Sequence, residues 1–155
     1  MAISPNTDFT SGQILTAAQQ NNFPRGVMAY TQVITTDSTI TSTEEVQITS
    51  SSFTAVANRY YKITYYEPQL SNAIATYFVA RIRQTNLAGA ELNRSISNVP
   101  TVTGATFTYA NVVAVRTFTA GAVTIVATLE STGTGSATRG TNQPAFILVE
   151  DIGPA

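Results

Sequence analysis

Two runs near the middle of the chain constrain the fold most: residues 58–67 (NRYYKITYYE) and 74–83 (IATYFVARIR). They hold five of the seven tyrosines, mixed with Ile63, Ile74, Phe78, Val79 and Ile82. Aromatic and β-branched side chains suit a pleated, half-buried surface. Between the runs lies Pro68-Gln69-Leu70-Ser71-Asn72, where proline fixes φ and Ser and Asn bond their own backbone, so the segment reads as a turn. The two runs predict a pair of antiparallel strands at the centre of an all-β domain. Strand alternation puts Tyr60, Lys62, Thr64 and Tyr66 on one face and Tyr61, Ile63, Tyr65 and Glu67 on the other. With tyrosines on both faces, at least one set lies outside the central core. An outward tyrosine face suits a protein interface or a carbohydrate platform, because the ring is apolar and its hydroxyl needs a partner. The alternative is a wide core whose hydroxyls reach the rim.

The rest of the composition agrees with strands. Thr occurs 26 times, and its branched Cβ restricts χ1 in a helix. Charged residues are only 11% of the 155, against a usual share of about 25%. A chain of this length is one domain that buries roughly two thirds of its unfolded surface, a core that needs no staples. The formal net charge of −1 excludes an electrostatic nucleic-acid binder and leaves little repulsion between copies. Without Cys or His there is no disulfide, thiol nucleophile, Ser-His-Asp triad or thiolate metal site. The start, MAISPNTDF, lacks the pattern of a signal peptide, and no apolar run approaches the ~20 residues of a membrane span.

Read in order, residues 1–10 form an extended arm and residues 11–22 (SGQILTAAQQNN) a short helix. Thr16 and Gln19 make a capping-box pattern, and Leu15 and Ala18 share a face. About two turns cannot be stable alone, so the helix docks on its own domain or on a neighbour. Phe23-Pro24-Arg25-Gly26 ends it. Residues 1–26 are thus an N-terminal arm and helix, and residues 27–155 a β domain. Eight strands are predicted, at 27–35, 39–49, 58–67, 74–83, 91–97, 105–115, 123–130 and 145–149, with a Gly/Ser/Thr loop at 131–142. The last is continuously apolar, as expected of a central strand. The expected architecture is an eight-stranded antiparallel jelly-roll-like β-sandwich, with an immunoglobulin-like sandwich as the alternative.

Little in the chain points to chemistry. Glu44 and Glu45 are adjacent on a strand, so they face opposite ways and cannot act as an acid/base pair. Glu150-Asp151 offers two carboxylates where a calcium ion wants six to eight oxygens. Lys62 reads as a surface amine with its stem along aromatic rings. Arg81 and Arg83 share a face and are placed to pair with Glu67 or Glu91, or with a partner chain. Arg139, in the glycine-rich loop, is a candidate grip for a phosphate or sugar, or simply a mobile loop tip. The acids are few and mostly placed at strand ends, which argues against a glycan hydrolase, since that needs two carboxylates ~5–10 Å apart in a cleft. The expectation is therefore a protein that is not an enzyme and uses no cofactor or metal.

The segment GQILTAAQQNNFPRG resembles a short G-x-x-L-T-A-A-x-x-N motif near the N-termini of tailed-bacteriophage virion proteins, matched here by Gly12, Leu15, Thr16, Ala17, Ala18 and Asn21. The ending FILVEDIGP (146–154) resembles the final strand of small phage structural proteins. The β body is similar in texture to trimeric jelly rolls of the tumour-necrosis-factor kind. The resemblance implies a virion structural protein, minor-tail or fibre-like, without the long repeated shaft of a fibre; a capsid decoration protein is the rival. It further implies a homotrimer anchored to other virion proteins through Leu15, Thr16, Ala18, Asn21 and Phe23. Tyr60, Tyr66, Arg81, Arg83 and Arg139 are then the candidates for a partner or host-glycan surface.

Overall fold

The computed structural model describes residues 12, 14–72, 76–99 and 107–155. The expected arm at 1–10 and the chain at 73–75 and 100–106 lie outside the described residues. A single short helix, α1 (Ala17–Asn21), precedes the strands β1 (Gly26–Val33), β2 (Asp37–Ile40), β3 (Glu45–Thr49), β4 (Phe53–Ala55), β5 (Arg59–Asn72) and β6 (Thr76–Gln84). These are followed by β7 (Glu91–Val99), β8 (Phe107–Arg116), β9 (Gly121–Val123), β10 (Ile125–Ser131), β11 (Gly135–Ala137) and β12 (Ala145–Pro154). The described residues therefore carry twelve strands where eight are predicted. The predicted strand 39–49 is two, β2 and β3, and 123–130 is two, β9 and β10. The Gly/Ser/Thr loop contains β11, and Phe53–Ala55 forms a strand in what reads as a link.

The strands make an antiparallel sandwich. In the larger sheet the order is β1-β12-β5-β11-β2, with β8 on the other side of β5. β12 lies along residues 59–66 of β5 and β11 along 70–72, so two short neighbours share one long side. The facing sheet runs β3-β10-β6-β7, and β4 pairs with β9 at one end. The two central runs are therefore not partners. β5 belongs to one sheet and β6 to the other, and the predicted hairpin between them is a crossing from sheet to sheet.

The predicted turn at 68–72 is strand, too. Pro68 lies where the β5–β8 register shifts, between Glu67 and Leu70. Proline is tolerated there because a bulge asks for no ladder hydrogen bond. Both inner faces feed one hydrophobic cluster: Tyr61, Ile63, Tyr65, Val112, Ile147 and Val149 from the larger sheet, and Ile48, Phe78, Ile82, Ile125 and Leu129 from the other. Tyr61, Phe53 and Phe118 pack ring on ring at 5.6–6.1 Å. The apolar last strand is central as expected, between β1 and β5. It alternates buried and half-buried along its length, so only one of its faces is core.

Candidate functional site

Three regions gather the residues singled out by the sequence. The first is the helix and its exit. Thr16 caps α1, its hydroxyl accepting from the Gln19 N–H at 3.2 Å while the Gln19 side chain accepts from the Thr16 N–H at 2.9 Å. The end of the segment is clamped to the body by a residue the sequence reading passed over. Arg59, at the start of β5, donates to the carbonyl oxygens of Asn21 and Phe23. The same guanidinium grips Asp151 at 2.6 and 2.7 Å. Burial raises the Asp151 carboxyl, but the Arg59 hydrogen bonds, the Gly153 N–H and the guanidinium charge outweigh it and hold the group below the usual carboxylate range. Asp151 is thus a buried clamp, and Glu150, paired with Lys62 at 3.1 Å, faces the other way. The two acids do not form a cation site. The apolar side chains of the segment stay in water: Ile14 is 88% exposed, Leu15 42% and Phe23 38%. The Ala18 side chain lies outside the described residues.

The second region is the outer face of the smaller sheet. Arg81 and Arg83 lie here, on β6, surrounded by Glu44, Glu91 and Glu130. Arg83 binds Glu44 through two hydrogen bonds of 2.6 and 2.8 Å, and Arg81 meets Glu130 at 2.8 Å. Burial raises Glu44, yet hydrogen bonds from Arg83 and Thr128 and the charges of Arg81 and Arg83 pull it down on balance. Glu91 is a partner as the sequence suggested; Glu67 is not. The guanidinium groups are turned toward their own carboxylates.

Glu67 instead receives Arg139. That residue is neither a loop tip nor a surface grip. Its guanidinium is buried and bidentate on Glu67 at 2.7 and 2.8 Å, with a further bond of 2.6 Å to Gln47. Its backbone N–H donates to the Thr36 hydroxyl. Burial alone would lower the Arg139 pKa, but the hydrogen bonds and charge of Glu67 raise it. The Tyr65 hydroxyl donates to Glu67 at 2.8 Å, and burial together with that carboxylate pushes the phenol well above its ordinary value. Arg139 thus fastens the glycine-rich loop to the β1–β2 link, β3 and β5, and it leaves the candidate surface.

The third region is the outer face of the larger sheet, where Tyr60 and Tyr66 point. Here Gln32, Phe146, Tyr66 and Asn111 fall in one row across β1, β12, β5 and β8. Tyr30, Leu148, Thr64 and Val113 make the next row. The Tyr30 and Phe146 rings are 5.9 Å apart and the Phe146 and Tyr66 rings 5.5 Å, tilted by 37° and 35°. Lys62 and Glu150 neutralise one another in the third row. Tyr109, exposed on β8 two residues before Asn111, lies on the same face. Neither it nor Tyr30 and Phe146 were anticipated; placing Tyr30 and Phe146 beside Tyr66 requires the register that brings distant strands together. Among the described residues, no group of three or more Asp or Glu is arranged to hold a metal ion, and no helix is long and apolar enough to cross a membrane.

No protein-family model matches the chain, and no curated protein matches it significantly. Among solved structures it is similar to the enzymatically active domain of bacteriophage CBA120 tailspike protein 4, at 18% identity and a TM-score of 0.30. That alignment covers 84% of this chain and 20% of the tailspike chain, so the protein spans about a fifth of that structure. It is also similar to the CBM22-1 xylan-binding domain of a Paenibacillus barcinonensis protein, at 11% identity and a TM-score of 0.31, covering 86% of this chain and 99% of that one.

Proposed function

We propose that this protein is a non-enzymatic structural component of a tailed-bacteriophage virion, associated with the tail, held by its N-terminal segment and displaying the β-sandwich. The motif at Gly12–Asn21 suggests the class. The observation that carries the anchor is the state of that segment: its exit is clamped to the body by Arg59, while Ile14, Leu15 and Phe23 stay exposed. A segment that docked only on its own subunit would bury those side chains, since each is worth roughly 1.5–3 kcal/mol when removed from water. A neighbouring virion protein, or a second and third copy in the expected homotrimer, is the natural cover. The carboxylates support a role without a reaction. Glu44, Glu91 and Glu130 are held by arginines, and Glu67 and Asp151 are sealed in ion pairs.

The test is the double substitution Ile14→Asp/Leu15→Asp, which leaves Arg59 and its partners untouched. The variant chain is expected to melt like the parent and to be lost from purified particles by at least roughly tenfold, a loss of 1.4 kcal/mol of binding. Normal occupancy in particles overturns the anchor. Immunogold labelling of particles separates a tail position from the rival capsid position.

A further inference from the structure

The outer face of the larger sheet continues into a groove that the anchor does not use. β7 and β8 are the facing edges of the two sheets, and their seam is bridged by side chains: Asn93 donates to the Val113 carbonyl, Ser97 to the Tyr109 carbonyl at 2.7 Å, and Arg116 to the Leu92 carbonyl. Beside these bridges lies a shallow groove of about 380 Å³, lined by Ser95, Ser97, Thr108, Tyr109 and Asn111. Asn111 belongs to both features, because it sits opposite Tyr66 in the aromatic row. Tyr109 is 62% exposed and Tyr30, at the far end, 50%. Aromatic rings and neutral hydrogen-bonding groups therefore follow one another from β1 across β12 and β5 to β8. The crossing is three strand spacings, about 14 Å.

We infer that this track, Tyr30–Phe146–Tyr66–Asn111–Tyr109, is a binding site for an uncharged polysaccharide. The chemistry selects the ligand. A sugar ring presents a patch of C–H groups that packs on an aromatic face, and hydroxyls at its edge that exchange hydrogen bonds with neutral side chains. The groove supplies those partners as hydroxyls and an amide. Charge argues for a neutral chain, because the ionised groups within these rows, Lys62 and Glu150, are spent on each other at 3.1 Å. The other sheet makes the contrast. Its groove of about 270 Å³ is lined by Arg81, Arg94 and Glu130 as well as Tyr77, Val79 and Ile96, and the Arg81 charge there is already matched by carboxylates. The length of the track favours several linked sugars over one. This inference does not rest on the anchor, because the track and the N-terminal segment share no residue.

The experiment is native electrophoresis of the full chain through gels containing xylan, mixed-linkage β-glucan, galactomannan or dextran, with alginate as the charged control. At least one neutral polymer is expected to retard the protein. Tyr109→Ala and Tyr66→Ala are each expected to weaken that binding roughly tenfold, while Arg94→Ala on the opposite face leaves it unchanged. Thermal melts confirm folding; should Tyr66→Ala unfold, the more exposed Tyr109 still decides. Unaltered mobility in all four neutral gels overturns the site, as does retardation by alginate alone, or full binding by folded Tyr109→Ala. So does sedimentation showing that Tyr66→Ala or Tyr109→Ala disperses an oligomer of a chain no polymer retards, which would assign the face to a second copy.

Discussion

A guanidinium and a carboxylate taken out of water each lose several kcal/mol of hydration, and only close, well-aligned contact recovers it. Arg139 and Glu67 meet that condition, with side chains 3% and 0% exposed and two hydrogen bonds between them. Removing one partner strands the other. Glu67→Leu is expected to lower unfolding free energy in urea by about 3–5 kcal/mol, and the double variant Glu67→Leu/Arg139→Met to regain most of it. If the double variant is as unstable as the single one, the pair matters through geometry and not through charge. A second residue is constrained by space alone. A Cβ on Gly89 would lie 1.6 Å from the Gln84 carbonyl oxygen. Gly89→Ala must therefore open the β6–β7 turn, which circular dichroism melts will register as a markedly lower Tm. Gly89 falls in the gap between the predicted strands 74–83 and 91–97, where the sequence expects a turn. Arg139 was not, since a lone arginine among Gly, Ser and Thr carries no local sign that its partner waits 72 positions away.

At the scale of elements, β5 explains both what the sequence showed and what it hid. Its alternation from Arg59 to Glu67 sorted inward and outward tyrosines correctly: Tyr61 and Tyr65 are buried, Tyr60 and Tyr66 half-buried. Its length was hidden by Pro68, a local turn signal that the bulge opposite β8 absorbs. Strand pairing was hidden for a more general reason. Adjacent runs in sequence are adjacent in a sheet only when the link between them reverses in place, and nothing in residues 68–72 states that β5 and β6 lie in facing sheets. Helix α1 was legible because its capping box is local, whereas its clamp is not: Arg59 is 38 positions from Asn21. The clamp predicts a linked loss. Arg59→Met leaves Asp151 buried without its cation, so unfolding free energy should fall by about 3–5 kcal/mol. Amide exchange at Gln20, Asn22 and Phe23, whose N–H groups bond within the turn, should rise toward the unprotected rate. Thr16→Ala, by comparison, should cost about 1 kcal/mol or less and leave the body unaffected. Exchange that stays slow in Arg59→Met would show the helix held by something other than the clamp.

For the whole molecule the sandwich divides its charges unevenly, and this sets its response to acid. Asp37, Glu44 and Asp151 all titrate below their ordinary values in the fold: burial opposes this in each, but hydrogen bonds and arginine charge prevail. Glu45 is shifted the other way, raised by burial and by the charge of Asp37. A carboxylate with a depressed folded pKa contributes stability that is fully present above its unfolded value, about 4, and lost as pH falls through the folded one. Glu45 acts in reverse: its contribution improves as pH falls through its raised folded value. Three groups against one give a net loss, so stability should hold steady from pH 7 to about 5 and drop below about 4. With no His in the chain, nothing of ordinary pKa titrates between pH 5 and 7 to blur the plateau. The measurement is Tm against pH for the parent and for Asp151→Asn. The variant should start lower at pH 7, because the amide no longer answers the Arg59 charge, and should lose less on acidification, because one of the three titrating groups is gone. Parallel curves for the two proteins would remove Asp151 from the acid limb and leave Asp37 and Glu44, with their hydrogen-bond and arginine partners, as the groups that set it.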